Sequence, residues 1–309
     1  MVVVFMGTPQ FAVPTLEALA AAGHTIAAVY TQPDRPKGRG QELAISPVKE
    51  AALRLGLPVY QPERIRRPES VAELATFGAK AMVVVGYGQI LPQAIIDLAP
   101  LGVINVHASL LPSYRGAAPI QWAIANGDAD TGVTTMKIDA GLDTGDMLRK
   151  DETAIGENET APELSERLAA MGADLLIETL DMLERGQIVP EPQDHTAATL
   201  APILKKEDGI VDWTRPAAEI YNRLRGFTPW PGAATTFRGA GLKVLTARIA
   251  DEAGLEPGQL VLRGKRLVAG CGGGTSLELV DVQPEGRKRV SGDSFANGAR
   301  LVENEFLGK

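Results

Sequence analysis

The fold of this chain follows from the stretch Ala81-Met82-Val83-Val84-Val85 and from Gly102-Val103-Ile104-Asn105-Val106-His107, which comes shortly after it. The first run is apolar throughout, which is typical of a strand buried on both faces of a parallel sheet. The second run also predicts a strand, and it ends in two polar side chains, Asn105 and His107. Because side chains alternate along a strand, these two lie on the same face. Ligands bind at the carboxyl ends of strands in open α/β sheets, so we expect a site here.

The chain before residue 186 alternates short β-rich runs with helical periodicity. Residues 2–6 and 25–30 predict strands, whereas residues 11–22 and 46–55 predict helices, the second with Ser46 as its N-cap. This alternation indicates an α/β fold with a doubly wound, mostly parallel sheet. No Gly-x-Gly-x-x-Gly follows the first strand and no Walker sequence occurs, which argues against a nicotinamide or ATP enzyme.

The pattern changes after this α/β region. Pro190, Pro192 and polar neighbours predict an extended linker over residues 187–204. Short strands separated by glycine-rich turns follow, and this spacing predicts a small β-barrel. We therefore expect a catalytic domain in residues 1–186 and a smaller β-barrel domain in residues 205–309.

Composition places the chain among ordinary globular proteins. It has 309 residues, 45% of them hydrophobic and 22% charged, which fits about two domains. Cys271 is the only cysteine, so no internal disulfide forms and a reducing compartment is expected. No run of about 18 apolar residues lacks a charge or breaker, so no membrane partner is expected. We expect a monomer, in a bacterial cytoplasm or in an organellar matrix.

The net charge of −7 argues by itself against a nucleic-acid-binding protein, but its distribution is uneven. Residues 1–204 carry 15 Lys and Arg against 25 Asp and Glu, or −10. Residues 205–309 carry 16 against 13, or +3. The change of sign suggests an acidic catalytic body with a mildly basic appendage. Random drift of surface charge explains the same difference equally well.

A second segment adds a carboxylate to the predicted site. The stretch Asp139-Ala140-Gly141-Leu142-Asp143-Thr144-Gly145-Asp146 has two glycines and three acids, which is typical of a tight loop with exposed backbone. Such a loop can bring Asp143 to His107, and a carboxylate fixes the tautomer of an imidazole. An amide and an imidazole aimed at one point stabilise an oxygen that gains charge.

Other readings of these residues are weaker. Alone, the acidic loop could be a solvated turn or a weak metal site, but it does not match the calcium-loop spacing. With three histidines, one cysteine, no HExxH and no paired CxxC, the chain does not fit a zinc enzyme. We expect no metal. Ser109 lies close to His107 in sequence, but it is not in a Gly-x-Ser-x-Gly nucleophile motif.

The motifs resemble those of the 10-formyltetrahydrofolate-dependent formyltransferase family. They are Asn105-x-His107, Ser109-Leu110-Leu111-Pro112-Ser113-Tyr114-Arg115-Gly116 and Gly141-Leu142-Asp143-Thr144-Gly145-Asp146, with further similarity in residues 5–12, 32–40 and 225–232. The resemblance implies a Rossmann-like formyltransferase domain and an OB-like C-terminal domain. It also implies transfer of the formyl group from 10-formyltetrahydrofolate to an amine, on which Asn105, His107 and Asp143 act together.

The roles of these three residues follow from the same resemblance. Asn105 and His107 would bind the formyl oxygen, which gains charge during acyl transfer. Asp143 would hold His107 and favour its charged form, or would accept the proton of the amine. The sequence leaves these two roles of Asp143 open.

The resemblance also implies a folate pocket. The loop from Gly86 to Pro92 follows a buried strand and exposes backbone, although its glycines could serve only the turn. A pterin needs a flat slot with hydrogen-bonding backbone. The residues that the family pattern assigns to this pocket are Gln89, Ile90, Leu91, Ser109, Leu110, Leu111, Pro112, Asp139 and Leu142.

A long loop and several basic residues bear on which amine accepts the formyl group. Residues 31–46 connect a strand to a helix over an unusual length, which also fits a solvated loop. Family members that act on methionyl initiator tRNA have a loop at this position that enters the acceptor stem. The resemblance therefore implies tRNA contacts by Arg35, Lys37, Arg39, Lys205, Lys206 and Arg223. The alternatives are a small amine such as an amino-sugar nucleotide or glycinamide ribotide, water, or a non-catalytic module that binds RNA or folate.

Overall fold

The computed structural model of the chain describes residues 1–37 and 42–309, which form two compact units. Unit 1 comprises Met1–Pro119, Asp130–Thr153 and Ser165–Ala201. Unit 2 comprises Ile120–Ala129, Ala154–Leu164 and Pro202–Lys309.

The helices are mostly short. They are α1 Val13–Ala21, α2 Pro47–Arg54, α3 Pro68–Thr76, α4 Gln93–Ile96, α5 Pro119–Asn126, α6 Ala161–Glu184, α7 Ala217–Gly226 and α8 Gly292–Ala299, with 3-10 turns at Gln10–Ala12 and Lys206–Gly209. None of these helices is long and apolar enough to cross a membrane, as far as the described residues go.

The strands before residue 202 are β1 Val2–Gly7, β2 Thr25–Tyr30, β3 Arg35–Lys37, β4 Glu42–Ala44, β5 Val59–Tyr60, β6 Ala81–Val85, β7 Val103–His107, β8 Arg115–Gly116, β9 Asp130–Lys137, β10 Met147–Ala154 and β11 Leu200–Ala201. Those that follow are β12 Ala233–Phe237, β13 Ala240–Ala250, β14 Gln259–Arg263, β15 Arg266–Gly270, β16 Ser276–Pro284, β17 Val290–Ser291 and β18 Glu305–Phe306.

Unit 1 is built on a sheet with the strand order β10-β9-β7-β6-β1-β2-β5. Strand β1 runs parallel to both β2 and β6, and the pairs β2–β5 and β6–β7 are also parallel. Strand β9 is antiparallel to β7. This arrangement confirms the prediction of a mostly parallel α/β sheet.

The two faces of this sheet are covered by different helices. Val3 and Phe5 of β1 belong to a core that includes residues of α1, α2 and α6, such as Leu176. Val4 and Met6 belong to another core, with residues of α3 and α4. Because successive strand residues point to opposite faces, the continuous apolar run of β1 requires helices on both sides.

Local signals explain some boundaries and not others. The Ser46 side chain accepts a hydrogen bond from the Lys49 backbone N–H at 3.0 Å, so it caps α2 as predicted. The four-residue helix α4 was not predicted, since it is too short to show helical periodicity. Strand β11, inside the segment predicted as a linker, pairs with β8 over two residues.

Unit 2 contains an antiparallel sheet in the order β12-β13-β16-β15-β14-β18, with β17 paired to β16. A bridge between Phe237 at the end of β12 and Leu307 beside β18 nearly closes it into a barrel. The core inside includes Leu242, Val282 and, from α7, Leu224. The predicted smaller β-barrel is confirmed.

Candidate active site

Asn105 and His107 lie on β7 in unit 1, where the direction of pairing changes. Strand β6 on one side of β7 is parallel, with Val84 beside Asn105, and β9 on the other side is antiparallel, with Thr134 beside His107. Asn105 is half-buried and His107 is buried. The two polar side chains therefore share one face at the carboxyl end of a central strand, as the two-residue spacing predicted.

The two ring nitrogens of His107 have different partners. Nε2 lies 2.9 Å from the backbone carbonyl oxygen of Tyr114. Because a carbonyl oxygen only accepts, Nε2 must carry a hydrogen and donate it. Nδ1 lies 3.7 Å from Oδ2 of Asp143. The structure thus brings Asp143 to His107, and it leaves Nδ1 as the nitrogen that faces the carboxylate.

The loop that carries Asp143 is tight and internally bonded. Oδ1 of Asp139 accepts hydrogen bonds from the Gly141 backbone N–H at 3.0 Å and from the Thr144 hydroxyl at 2.7 Å. A β-carbon at Gly145 would lie 1.9 Å from the carbonyl oxygen of Lys137, so only glycine fits there. The Asp139 carboxylate therefore serves the fold of the loop itself.

Asp143 is held through both its backbone and its side chain. Its φ of 51° is in the left-handed region. Its Oδ2 accepts a hydrogen bond from the Gly116 backbone N–H at 2.9 Å, and its carbonyl oxygen accepts one from Gln193 Nε2 at 2.9 Å. Gln193 is buried and contacts Arg115, which is also buried.

Sequence reasoning assigned no role to Arg115 or Gln193. Arg115 lies in the motif that runs from Ser109 to Gly116, and this position was the only sequence feature that pointed to a role for it. Gln193 gave no signal, because it is distant in sequence from Asp143 and falls in the segment predicted as a linker.

The predicted folate residues after β7 form a turn fixed to β9. Ser109 is buried, and its hydroxyl donates to the carbonyl oxygen of Ser113 at 2.6 Å. Thr134 Oγ1 donates to the Ser109 carbonyl at 2.7 Å and accepts from the Leu111 backbone N–H at 3.1 Å. The side chain of Leu111 is buried, and the partly exposed members of this turn are Leu110 and Pro112.

The other residues predicted to bind folate differ in whether their side chains are exposed. The Gln89 side chain accepts from the Ile65 backbone N–H at 2.7 Å and donates to the Pro62 carbonyl at 3.0 Å. Leu91 is part of the core on one face of the sheet. By contrast, Ile90 is 90% exposed and Leu142 is 64% exposed. Gln89 and Leu91 thus offer a ligand mainly their backbone, whereas Ile90 and Leu142 offer apolar side chains.

A groove of about 600 Å³ lies at the carboxyl ends of β1, β2 and β6 in unit 1. Thr8 and Gln32 join these strand ends, since their side chains donate to the Tyr87 carbonyl at 3.0 Å and 3.1 Å. A β-carbon at Gly86 would lie 2.9 Å from Pro9, so the glycine permits this close approach. Strand β6, which ends at this groove, pairs with β7, the strand that carries Asn105 and His107.

The long loop after β2 begins at this groove. Arg35 is exposed and lines the groove, the Lys37 backbone belongs to β3, and Arg39 lies outside the described residues. The base of the loop is fixed by a hydrogen bond between the Thr31 and Ser46 hydroxyls at 2.7 Å. Lys49 also bonds Asp34, and this contact, together with one from Gln61, lowers the pKa of Asp34.

The basic residues predicted in the C-terminal part lie in unit 2. Lys205 and Lys206 are exposed at a 3-10 turn, and Lys206 lines a groove of about 390 Å³ together with Lys243. Arg223 is half-buried, with its guanidinium 4.9 Å from the Phe227 ring centre and 5.9 Å from that of Trp122. It also donates to the Asp208 carbonyl at 3.2 Å, and burial lowers its pKa.

Arg225 serves the structure of unit 2. It is buried and donates to the carbonyl oxygens of Gly156 and Glu159 at 3.0 Å and 3.1 Å. In the part of the chain that the structure describes, no group of three or more His, Cys, Asp or Glu side chains is arranged to hold a metal ion.

Comparison with known proteins assigns the chain to a family. Residues 1–180 match the formyl transferase model, and residues 203–300 match the model of the formyl transferase C-terminal domain. The chain belongs to the formyl transferase family. This formyl transferase is 64% identical over 306 residues to the methionyl-tRNA formyltransferase of Solibacter usitatus, with 99% of this chain and 98% of the relative covered. It is 59% identical to that of Koribacter versatilis, over 100% and 99% of the two chains.

Solved structures share the fold at low sequence identity. An N-formyltransferase from Helicobacter canadensis, in complex with folinic acid and dTDP-3-aminofucose, has a TM-score of 0.66 and 17% identity over 92% of this formyl transferase and 100% of that chain. HypX from Aquifex aeolicus, in complex with tetrahydrofolic acid, has a TM-score of 0.63 and 16% identity over 95% and 46% of the two chains. At these identities the likeness shows the fold alone.

Proposed function

We propose that the protein transfers the formyl group of 10-formyltetrahydrofolate to the α-amino group of methionyl initiator tRNA, which supplies N-formylmethionyl-tRNA for translation initiation. The observation that carries this proposal is the His107–Asp143 pair at the end of β7, in a chain that matches methionyl-tRNA formyltransferases over its whole length. The reaction is an acyl transfer from nitrogen to nitrogen, for which these side chains are chemically suited.

Asn105 and His107 stabilise the developing charge. The folate, when bound, supplies the formyl group on its N10 atom. The Asn105 amide donates a hydrogen bond to the formyl oxygen, and His107 donates from Nδ1, because its Nε2–H is bound to the Tyr114 carbonyl. Such donors act most strongly where they are fixed before the reaction and shielded from water. The burial of His107 meets this requirement.

Asp143 acts on charge and on protons. Its carboxylate, 3.7 Å from Nδ1, stabilises the positively charged imidazole that binds the oxygen. The attacking amine must lose a proton on forming the new bond, and Asp143 accepts it directly or through water. The bond between the formyl carbon and N10 then breaks, and N10 takes up that proton, so that tetrahydrofolate leaves and the carboxylate is restored. Both roles require the carboxylate to be ionised when the amine attacks and to lie close to His107.

The folate is held by three segments of unit 1. In this proposal the pterin lies against the backbone of Gln89 to Leu91, the turn from Ser109 to Pro112 and the loop from Asp139 to Leu142. These segments fit a pterin. The Gln89 and Leu91 side chains contact other parts of the protein, so these residues offer their backbone groups to the ligand. The exposed side chains of Ile90 and Leu142 supply apolar surface.

The tRNA is held by basic residues of both units. The end that bears methionine enters the groove beside β7, with Arg35, Lys37 and Arg39 on the adjoining loop. Lys205 and Lys206 contact phosphates, which position a nucleic acid without reading its sequence. Arg223 contributes least to this binding, because it already packs on two aromatic rings.

The proposed roles are distributed over three ranges of the chain. Residues 1–186 carry the catalytic residues and the tRNA-binding loop, residues 187–204 connect the two domains, and residues 205–309 supply the remaining tRNA contacts. The protein works as a monomer in a bacterial cytoplasm, without a membrane partner.

Competition between acceptors tests the proposal. The purified protein would receive formyl-labelled 10-formyltetrahydrofolate with methionyl initiator tRNA, elongator methionyl-tRNA, an amino-sugar nucleotide, glycinamide ribotide and water. We expect label on methionyl initiator tRNA. Label mainly on a small amine would refute the acceptor assignment while leaving the catalytic residues in place. No transfer to any acceptor would refute the enzymatic function.

A further inference from the structure

A buried Arg–Gln pair supports the loop that carries Asp143. We propose that Gln193, oriented by Arg115, is a positioning residue that holds Asp143 in its left-handed conformation and directs its carboxylate at His107. This inference rests on the proposed function, because it concerns how the carboxylate of that site is held. Neither residue is among the proposed catalytic or folate-binding residues.

The Gln193 side chain uses its whole hydrogen-bonding capacity. Nε2 donates to the carbonyl oxygens of Asp143 at 2.9 Å and Gly145 at 2.7 Å. Oε1 accepts from Nε of Arg115 at 3.0 Å and from Nη2 at 2.7 Å. A primary amide has two N–H donors and one oxygen with two lone pairs, so each has a partner here. Both side chains are buried, at 6% exposure for Gln193 and 7% for Arg115.

Arg115 decides which way this amide points. A guanidinium only donates, so the oxygen of Gln193 must face it and the NH₂ group must face the Asp143 loop. Nη2 of Arg115 also lies 3.1 Å from Nδ1 of His195. In these contacts the buried guanidinium acts as a donor that fixes the orientation of the Gln193 amide.

The conformation of Asp143 needs such support. A residue other than glycine with a φ of 51° is strained, and it keeps this conformation only where its surroundings hold it. Gln193 holds the backbone of Asp143, and the Gly116 N–H holds the carboxylate at 2.9 Å. Gly116 follows Arg115 in β8. This short strand therefore supports the Asp143 carboxylate directly and the Asp143 backbone through Gln193.

The variant Gln193→Glu tests this role with almost no change in shape. A glutamate keeps the contact with Arg115 as an ion pair, but it presents an oxygen to the two loop carbonyls in place of two donors. We expect kcat for formyl transfer to methionyl initiator tRNA to fall roughly tenfold to a hundredfold, as for a catalytic group displaced by about 1 Å. KM for each substrate should stay within about twofold, because binding is not altered. Gln187→Glu, at an exposed position of the same segment, should behave as wild type.

A double-mutant cycle distinguishes positioning from a general structural effect. If Gln193 acts through Asp143, then adding Gln193→Glu to the Asp143→Asn variant does not lower kcat any further. Gln193→Met, which removes the donors without adding charge, should lower kcat similarly. For each variant, the melting temperature and folate binding give the folded fraction, and rates are expressed per folded enzyme.

The outcomes separate this inference from the proposed function. Wild-type kcat in both Gln193→Glu and Gln193→Met, alongside a large loss in Asp143→Asn, would overturn the inference alone. An additive loss in the double variant would also overturn it, because Gln193 would then act independently of Asp143. Wild-type rates in Asp143→Asn itself would remove Asp143 from the proposed mechanism.

Discussion

His107 directs Nδ1 at the Asp143 carboxylate, 3.7 Å away, while its Nε2 donates to the Tyr114 carbonyl oxygen at 2.9 Å. The two nitrogens thus have separate roles, since Nε2 fixes the ring and Nδ1 is available for chemistry. A carboxylate beside Nδ1 is suited to an imidazole that binds a developing negative charge. The proposed chemistry of the site depends on this pair.

Asp143→Asn should lower kcat by about a hundredfold or more, because the amide cannot stabilise a charged imidazole or accept a proton. Folate affinity, measured by fluorescence titration, should stay within about twofold, since this carboxylate does not hold the pterin. Asp151→Asn, at an exposed position of β10, serves as the matched control. Wild-type turnover in Asp143→Asn would contradict the proposed triad.

Asn105→Ala removes one donor to the formyl oxygen. We expect kcat to fall by about a hundredfold to a thousandfold, with little change in the KM for either substrate. Steady-state kinetics with methionyl initiator tRNA measure this split. If KM rose while kcat stayed constant, Asn105 would be a binding residue rather than a stabiliser of charge.

The groove lined by Lys206 and Lys243 should make tRNA binding dependent on salt. Each phosphate contact that is lost weakens binding and reduces the slope of log K against log salt by about 1. We therefore expect smaller slopes in Lys206→Ala and Lys243→Ala, measured by filter binding at several salt concentrations. Lys265→Ala, at an exposed turn of the same unit, should keep the wild-type slope. Unchanged slopes in both groove variants would exclude this groove from the tRNA interface.

Cys271 should be unreactive in the folded protein. Burial raises the pKa of its thiol to about 12, so at pH 8 the thiol stays protonated, and only the thiolate is nucleophilic. Alkylation by iodoacetamide at pH 8 should be slow, should leave transfer activity intact, and should accelerate when denaturant unfolds the protein. Rapid alkylation of the native protein with loss of activity would contradict this assignment.

Much of the fold was predictable because its signals are local. The apolar runs of β1 and β6 require a sheet covered on both faces, and the Ser46-Pro47 pair marks the start of α2. Strands β8 and β11 could not be predicted in this way. Each has two residues, too few for any periodicity, and their pairing depends on contacts between distant segments.

The site was predictable to a similar degree. The spacing of Asn105 and His107 predicted that they share a face, and the glycine-rich composition around Asp143 predicted a tight loop. Three other features depend on tertiary contacts. They are the hydrogen bonds of Gln89 to residues 62–65, the packing of Arg223 on Trp122 and Phe227, and the support of Asp143 by Gln193. No sequence pattern near any of these residues encodes such contacts.

The most direct test of the central claim is the chemical identity of the product in a single turnover. Formyl-labelled 10-formyltetrahydrofolate would be mixed with excess enzyme and methionyl initiator tRNA, and the aminoacyl group would be released by mild base for mass spectrometry. We predict labelled N-formylmethionine, and no label on initiator tRNA whose methionyl amine has been acetylated beforehand. Labelled formate alone, or label on the acetylated tRNA, would contradict transfer to the α-amino group.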